Sequence, residues 1–308
     1  MTKHQRIRPS KFIGFWFVTI VTVAFAFSGC GRQARETPLA TVGSIEIVAH
    51  RGASFLAPEN TLAAARLAWA RGSDAVEVDV HLSRDKRIVA IHDGSTARTG
   101  GKSFQIARTD SRLLRRLDVG GYKGREFIGE RIPFLDEILD ALPETRRLFV
   151  EIKCGPEIIP ILDPLLTISG KRSQIVVIGF GLETMRACKE TMPDVPVYWL
   201  CGSSWFRPYR EDVIAKTLAC GLDGLDVHHS GLTPAFVHNA RAAGLDLYVW
   251  TIDDVGQASI LSDWGVDGIT TNRPAHLLQR IDPAIARQHS WNASDDQDRK
   301  PFHVAKGL

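Results

Sequence analysis

The chain has 308 residues, 44% of them hydrophobic and 24% charged, which suffices for one large buried core or two small ones. A formal net charge of +3 is too small to argue for a nucleic-acid partner, and no basic tract interleaved with aromatics interrupts the body of the chain. The cysteine spacings match no metal-binding pattern.

In chain order, Lys3, Arg6, Arg8 and Lys11 come first with no acid among them, followed by an apolar run over 12–27 that ends in Ser28-Gly29-Cys30. A basic start, a short apolar stretch and small residues compose an export signal. The run is shorter than the ~20 residues that span a bilayer comfortably, which leaves an uncleaved anchor as the alternative. Residues 1–29 are therefore expected to be a signal peptide. The Ser-Gly-Cys ending resembles a bacterial lipoprotein processing site, although Phe27 departs from the smaller aliphatic residue usual there. That resemblance implies lipidation of Cys30, a polar tether over 30–43, and a domain exported to the bacterial periplasm or cell envelope and anchored to the membrane. Cys154, Cys188, Cys201 and Cys220 remain, and their pairing is open, with free thiols expected for most.

Strand-like and helix-like runs then alternate. Residues 45–50 form a short apolar strand, and 60–71 follow with Leu62, Ala65 and Trp69 at helical spacing. Further strands are expected at 75–82, 148–153, 174–180, 196–201, 224–228, 246–252 and 267–271. Helices are expected at 156–168, 182–191, 210–219, 234–243 and 255–264, with Gly221, Gly244 and Gly265 where helix C-terminal glycines belong. Repeated βα units imply a parallel sheet with helices outside it. The run 88–93 is set apart, because 83–87 is too short for a parallel crossover. It should fold back on 75–82 as a hairpin, which places His92 roughly opposite Asp79. Eight strands remain. The expected architecture is an α/β chain folded as a (β/α)8 TIM barrel over 44–282, with the hairpin and an excursion (94–143) over the mouth after the second strand. A polar tail fills 283–308.

Chemistry-bearing residues collect at strand ends. Glu77 and Asp79 are two apart on one strand and so share a face, and Glu151 ends the strand expected beside theirs. Three oxygen donors without a cysteine cluster favour Mg²⁺ or Ca²⁺ over a soft metal. Considered alone, they could equally form a salt-bridge network with Arg51 and Lys153. His50 and His92 have the chemistry of an acid/base pair, or one of them could be a metal ligand or a core histidine. Arg51 and Lys153 would supply charge for phosphoryl oxygens.

His50-Arg51-Gly52-Ala53, Pro58-Glu59-Asn60-Thr61, Glu77-Val78-Asp79, His92-Asp93 and Glu151-Ile152-Lys153 together resemble the glycerophosphodiester phosphodiesterase family. The resemblance continues through Trp250-Thr251 and 267–274 and covers about 45–281. It implies a (β/α)8 barrel and metal-dependent hydrolysis of glycerophosphodiesters to glycerol 3-phosphate and an alcohol. By position it assigns one divalent cation to Glu77, Asp79 and Glu151, the acid/base pair to His50 and His92, and the phosphate to Arg51 and Lys153. Glu59 and Asn60 read as supporting or capping residues, and Trp250 as a contact for the substrate's organic part or a packing residue. Gly179 stands where many relatives have serine before Phe180, and Asn272 replaces a frequent aspartate. His228-His229 and Trp205-Phe206 lie near expected strand ends and bear on pocket shape. The alternative readings are a lysophospholipase D-like or phospholipase-like enzyme on membrane lipids, and a binding lipoprotein without catalysis. The expected partners are a small-molecule diester and, through the anchor, a membrane.

Overall fold

A computed structural model describes residues 45–202 and 207–281. The expected signal segment, the tether with Cys30, Trp205-Phe206 and the polar tail lie outside the described residues. Eight parallel strands close into a barrel, β1 (Glu46–Ala49), β2 (Ala75–Leu82), β4 (Arg147–Ile152), β5 (Ile175–Gly179), β6 (Val197–Cys201), β7 (Gly224–His228), β8 (Asp246–Trp250) and β9 (Gly268–Thr271), and β1 pairs with both β2 and β9. The remaining strand, β3 (Ile88–Ala90), is antiparallel to β2, as the short 83–87 connection requires.

The alternation of β2 shows how sequence becomes position. Val76, Val78 and Val80 point outward into a core shared with Ala65, Ala68 and Trp69 of helix α1 (Leu62–Ala70). Glu77 and Asp79 consequently point into the barrel. Helix α1 starts two residues later than the spacing suggests, because Thr61 caps it, its Oγ1 accepting from the Ala64 amide at 3.2 Å. The lower barrel is filled. Phe149, Tyr198 and Tyr248 pack inside it, Arg147 pairs with Glu46 at 2.7 Å, and the Tyr198 hydroxyl donates to Asp246 at 2.8 Å. Only the mouth at the strands' C-terminal ends is left for chemistry.

The hairpin register differs by one from the expectation. Val80 pairs with Ala90, and the Ile91 amide donates to the Asp79 carbonyl at 2.9 Å, so Ile91 rather than His92 stands opposite Asp79. Folding symmetrically about Asp85 gives that register, and β3 ends at Ala90, so His92 is carried by the turn after the strand. The excursion contains the short helices α2 (Ala97–Gly100) and α3 (Ser111–Leu114) and then α4 (Leu135–Ala141), which packs with α1. Its Ile106, Leu114, Leu117, Val119 and Ile132 form an apolar centre with Val89 and Ile91 of the hairpin.

Around the rest of the barrel lie α5 (Ile159–Ile168), α6 (Leu182–Thr191), α7 (Glu211–Ala219), α8 (Pro234–Ala242) and α9 (Val255–Trp264). A final helix, α10 (Pro274–Ile281), was not among the expected elements, and it buries Leu277 and Leu278. Among the described residues no helix is long and apolar enough to cross a membrane. Cys154, Cys188, Cys201 and Cys220 are free thiols.

Candidate active site

The β2–β4 register sets Asp79 beside Glu151, and one carboxylate oxygen each from Glu77, Asp79 and Glu151 lies within 4.8 Å of the others. All three are buried, and Glu77 Oε1 and Asp79 Oδ1 have no hydrogen-bond donor. Burial and the neighbouring Asp79 and Glu151 carboxylates push Glu77 well above the usual carboxylate range. Burial and Asp79 likewise raise Glu151 to about 7, against the pull of Lys153. Burial also acts against ionised Asp79, but Arg51 and Lys153 outweigh it and hold that carboxyl at about 2. Asn60 grips Asp79 twice, its Nδ2 donating to Oδ2 at 2.7 Å and its Oδ1 accepting the Asp79 amide at 2.9 Å. Asn60 thus supports a carboxylate and does not cap the helix.

The cations come from two strand ends. Lys153 Nζ lies 2.7 Å from Glu151 and 3.3 Å from Asp79. Arg51 lies 3.2 Å from Asp79 through Nε and 2.9 Å from Glu59 through Nη1, and its backbone amide donates to Glu77 Oε2 at 2.8 Å. Directing both backbone and side chain at the cluster requires a tight turn. Arg51 adopts φ +56°, a left-handed conformation costing on the order of 1 kcal/mol for a side chain of this kind. Gly52 follows at φ +78°, and a Cβ there would sit 2.6 Å from the Ala64 carbonyl carbon. The glycine of the His-Arg-Gly run is needed because the turn presses on α1.

The two histidines have different partners. His50 follows β1, and the register of Val48 with Thr270 puts it beside Asn272, whose Oδ1 lies 2.7 Å from His50 Nδ1. Burial and then the adjacent Arg51 charge lower His50 to about 4, despite the Asn272 bond. His92 Nδ1 instead meets the Asp93 carboxylate at 2.7 Å. Asp93 pairs with Arg98 at 2.7 Å, and Arg98 also grips both oxygens of Glu59. His92 shares a small cavity with Glu59 and Asn60, which brings it to the edge of the carboxylate cluster. The excursion thus reaches the mouth, where Tyr122 and Lys123 also bond the backbone of Glu59 and Ser54.

An aromatic rim lines the opposite side. Trp250 meets Phe180 edge-on at 5.8 Å between ring centroids and His228 at 4.9 Å, and its Nε1 donates to the Asp226 carbonyl at 3.3 Å. Trp250 is therefore both packed and at the mouth. At Gly179 a Cβ would come within 2.8 Å of the Met185 methyl of α6, so the glycine leaves that methyl its space.

Asp93 stands in the His92-Asp93 motif without a role assigned to it, and Arg98, Asp253 and Asp226 were not singled out from sequence. Asp93 and Arg98 pair locally, five residues apart, but only the fold brings Arg98 to Glu59, and Asp253 lies in a loop without periodic signal. Asp226 alternates inward with Gly224 and His228, a pattern the sequence does show. It is fully buried with Oδ1 unpartnered, and burial and then Glu151 push it well above the usual range.

Three converging carboxylates, two of them with an undonated oxygen, and two nearby cations fit a hard, oxygen-preferring divalent cation and an anionic ligand together. Two imidazoles at the margin add proton transfer. The comparisons with known proteins agree with this chemistry. A family model described as the glycerophosphoryl diester phosphodiesterase family matches residues 50–276. The YhdW protein of Bacillus subtilis is 30% identical over 236 residues, covering 76% of this chain and 96% of its own. A glycerophosphodiester phosphodiesterase of Caldanaerobacter subterraneus is 28% identical over 242 residues, covering 76% and 97%. A solved Oleispira antarctica phosphodiesterase in complex with the product sn-glycerol-3-phosphate superposes with a TM-score of 0.72 at 28% identity, covering 77% of this chain and 96% of that one.

Proposed function

This chain belongs to the glycerophosphoryl diester phosphodiesterase family, and we propose that its barrel mouth hydrolyses glycerophosphodiesters to glycerol 3-phosphate and an alcohol. The product held by the Oleispira antarctica relative supports that product class. The observation that carries the reading is the convergence of Glu77, Asp79 and Glu151 with Arg51, Lys153 and two differently partnered histidines.

Glu77, Asp79 and Glu151 would hold one divalent cation, Mg²⁺ or Ca²⁺, which when bound supplies positive charge for the phosphoryl oxygens. Arg51 and Lys153 bind and orient the same phosphodiester, their own charges held at the mouth by Asp79. His50 is the base. Buried, beside Arg51 and bonded to a neutral amide, it stays uncharged at neutral pH, so Nε2 keeps a lone pair for a proton of the attacking water. As the new P–O bond forms, the P–O bond to the alcohol breaks and its oxygen takes a proton from His92 Nε2. The Asp93 carboxylate, 2.7 Å from Nδ1, holds the ring there and leaves Nε2 for the departing oxygen. Phe180 and Trp250 offer apolar surface to the organic part of the substrate.

Replacing His50 or His92 by alanine should abolish release of glycerol 3-phosphate from glycerophosphocholine while the thermal melt stays cooperative. Full turnover in both variants would end the reading, and a preference for lysolipids over water-soluble diesters would favour the lipid-directed alternative. We also infer export and membrane anchoring through Cys30, which the basic start, the apolar run and Ser28-Gly29-Cys30 support. Cys30→Ser should move activity from the membrane fraction to the soluble fraction, and unchanged fractionation would refute the anchor.

A further inference from the structure

We propose that Asp253 is a positioning residue that acts through Asn272 to decide which ring nitrogen of His50 carries the proton. The inference rests on His50 serving as the base. A neutral imidazole has one N–H and one lone pair, and only the tautomer with its proton on Nδ1 leaves Nε2 free to accept one. The protonated nitrogen is set by the partner at Nδ1, and that partner is the side-chain amide of Asn272 at 2.7 Å.

An amide can present either its oxygen or its NH₂, and the two orientations have opposite consequences. With the oxygen toward His50, Nδ1 donates and Nε2 is a base. With the NH₂ toward His50, Nδ1 must accept, the proton moves to Nε2, and the base is lost. Asp253 removes the ambiguity because both its oxygens are placed as acceptors. Its Oδ2 receives Asn272 Nδ2 at 2.9 Å, and its Oδ1 receives both the Asn272 amide at 2.8 Å and the Thr271 hydroxyl at 2.8 Å. The NH₂ is thereby turned to Asp253 and the oxygen to His50. The Ser54 hydroxyl, a donor to Asn272 Oδ1 at 3.3 Å, reinforces the orientation.

The relay also explains how an asparagine serves here. An aspartate at this position would bring a negative charge against the ring and favour imidazolium. The amide passes on the polarity of Asp253 and keeps its charge one residue further away. The charged groups that act on His50 are then Arg51 from its own turn, Asp79 from β2 and Glu59 from the loop before α1.

The test uses the full-length protein and reads tautomer and turnover separately. In wild type, ¹⁵N NMR of the His50 ring should show a protonated Nδ1 and an unprotonated Nε2. Asp253→Leu should give mixed tautomers and lower kcat for glycerophosphocholine by about 10- to 100-fold, part of the ~10²–10⁴-fold a general base supplies. KM should change by less than about 2-fold, because no substrate-binding group is touched. Asp253→Asn, which keeps the shape, should show the same defect in milder form. Pairing Asp253→Asn with Asn272→Asp restores an acceptor at Nδ1 and a donor behind it. That pair should recover kcat and move the acid limb of kcat/KM to higher pH, since a carboxylate then faces the ring.

A single Nδ1–H tautomer and unchanged kcat in both Asp253 variants would overturn the proposal, as would a double variant no better than Asp253→Asn. If His50→Ala turns over normally, it is the base assignment that fails, and the NMR result still decides the tautomer.

Discussion

Replacing Glu151 by glutamine should make the metal-free protein more stable at neutral pH and insensitive to divalent cations. In the folded state burial and Asp79 hold the Glu151 carboxyl at about 7, against a usual 4.5. Between those values the folded protein keeps a proton that the unfolded chain has released. Stability is therefore fully present below 4.5 and is lost as pH rises through about 7. The span corresponds to about 3 kcal/mol at roughly 1.4 kcal/mol per tenfold change in proton activity. A glutamine cannot ionise, keeps an oxygen for the Lys153 bond, and escapes that loss. For a domain of this size, about 3 kcal/mol is worth roughly 6–12 °C in Tm. Thermal melts of chelator-treated wild type and Glu151→Gln should coincide near pH 4.5 and diverge by about that amount at pH 8. Added Mg²⁺ or Ca²⁺ should raise the wild-type Tm more at pH 8 than at pH 5, because it replaces protons on the carboxylates, and should leave the variant unmoved. Parallel pH profiles, or a full cation response in Glu151→Gln, would refute the electrostatic account of the cluster.

Asn60→Ala leaves the buried Asp79 amide and carboxylate without their shared partner, and calorimetry should show a loss of about 1–3 kcal/mol together with weaker cation binding. Asp93→Asn removes the carboxylate behind His92, so kcat should fall by about 10-fold or more while KM holds, and a slow leaving alcohol should suffer most. Gly52→Ala forces a methyl to within 2.6 Å of the Ala64 carbonyl carbon at positive φ, and turnover should collapse along with a loss of about 2 kcal/mol or more in denaturant titrations.

Much of this arrangement could be read from the sequence because periodicity and chemistry coincide in it. In 75–80 the valines alternate with Glu77 and Asp79, so a single pattern reports the strand, its outer face and two inward carboxylates. The same logic reached Glu151, and the short 83–87 link revealed the hairpin. The turn at 83–87 carries no marker of its exact register, and Ile91 rather than His92 stands opposite Asp79. Helix α10 went unnoticed, although it buries Leu277 and Leu278 directly after the last strand. The supporting layer was out of reach for a different reason. Asp253 meets Asn272, and Arg98 meets Glu59 39 positions away, only because the barrel has closed and the excursion has folded over it. No local pattern encodes such partners. Asn272 itself was visible as a departure from the family, and its bond to His50 gives that departure a physical meaning.

The central claim is that the mouth of this barrel works as a cation-loaded diester hydrolase. Its most direct test is release of glycerol 3-phosphate from glycerophosphocholine by chelator-stripped protein titrated with Mg²⁺ or Ca²⁺. No turnover before addition and saturable recovery with one cation per chain is the expected result. Undiminished hydrolysis in excess chelator would contradict the account.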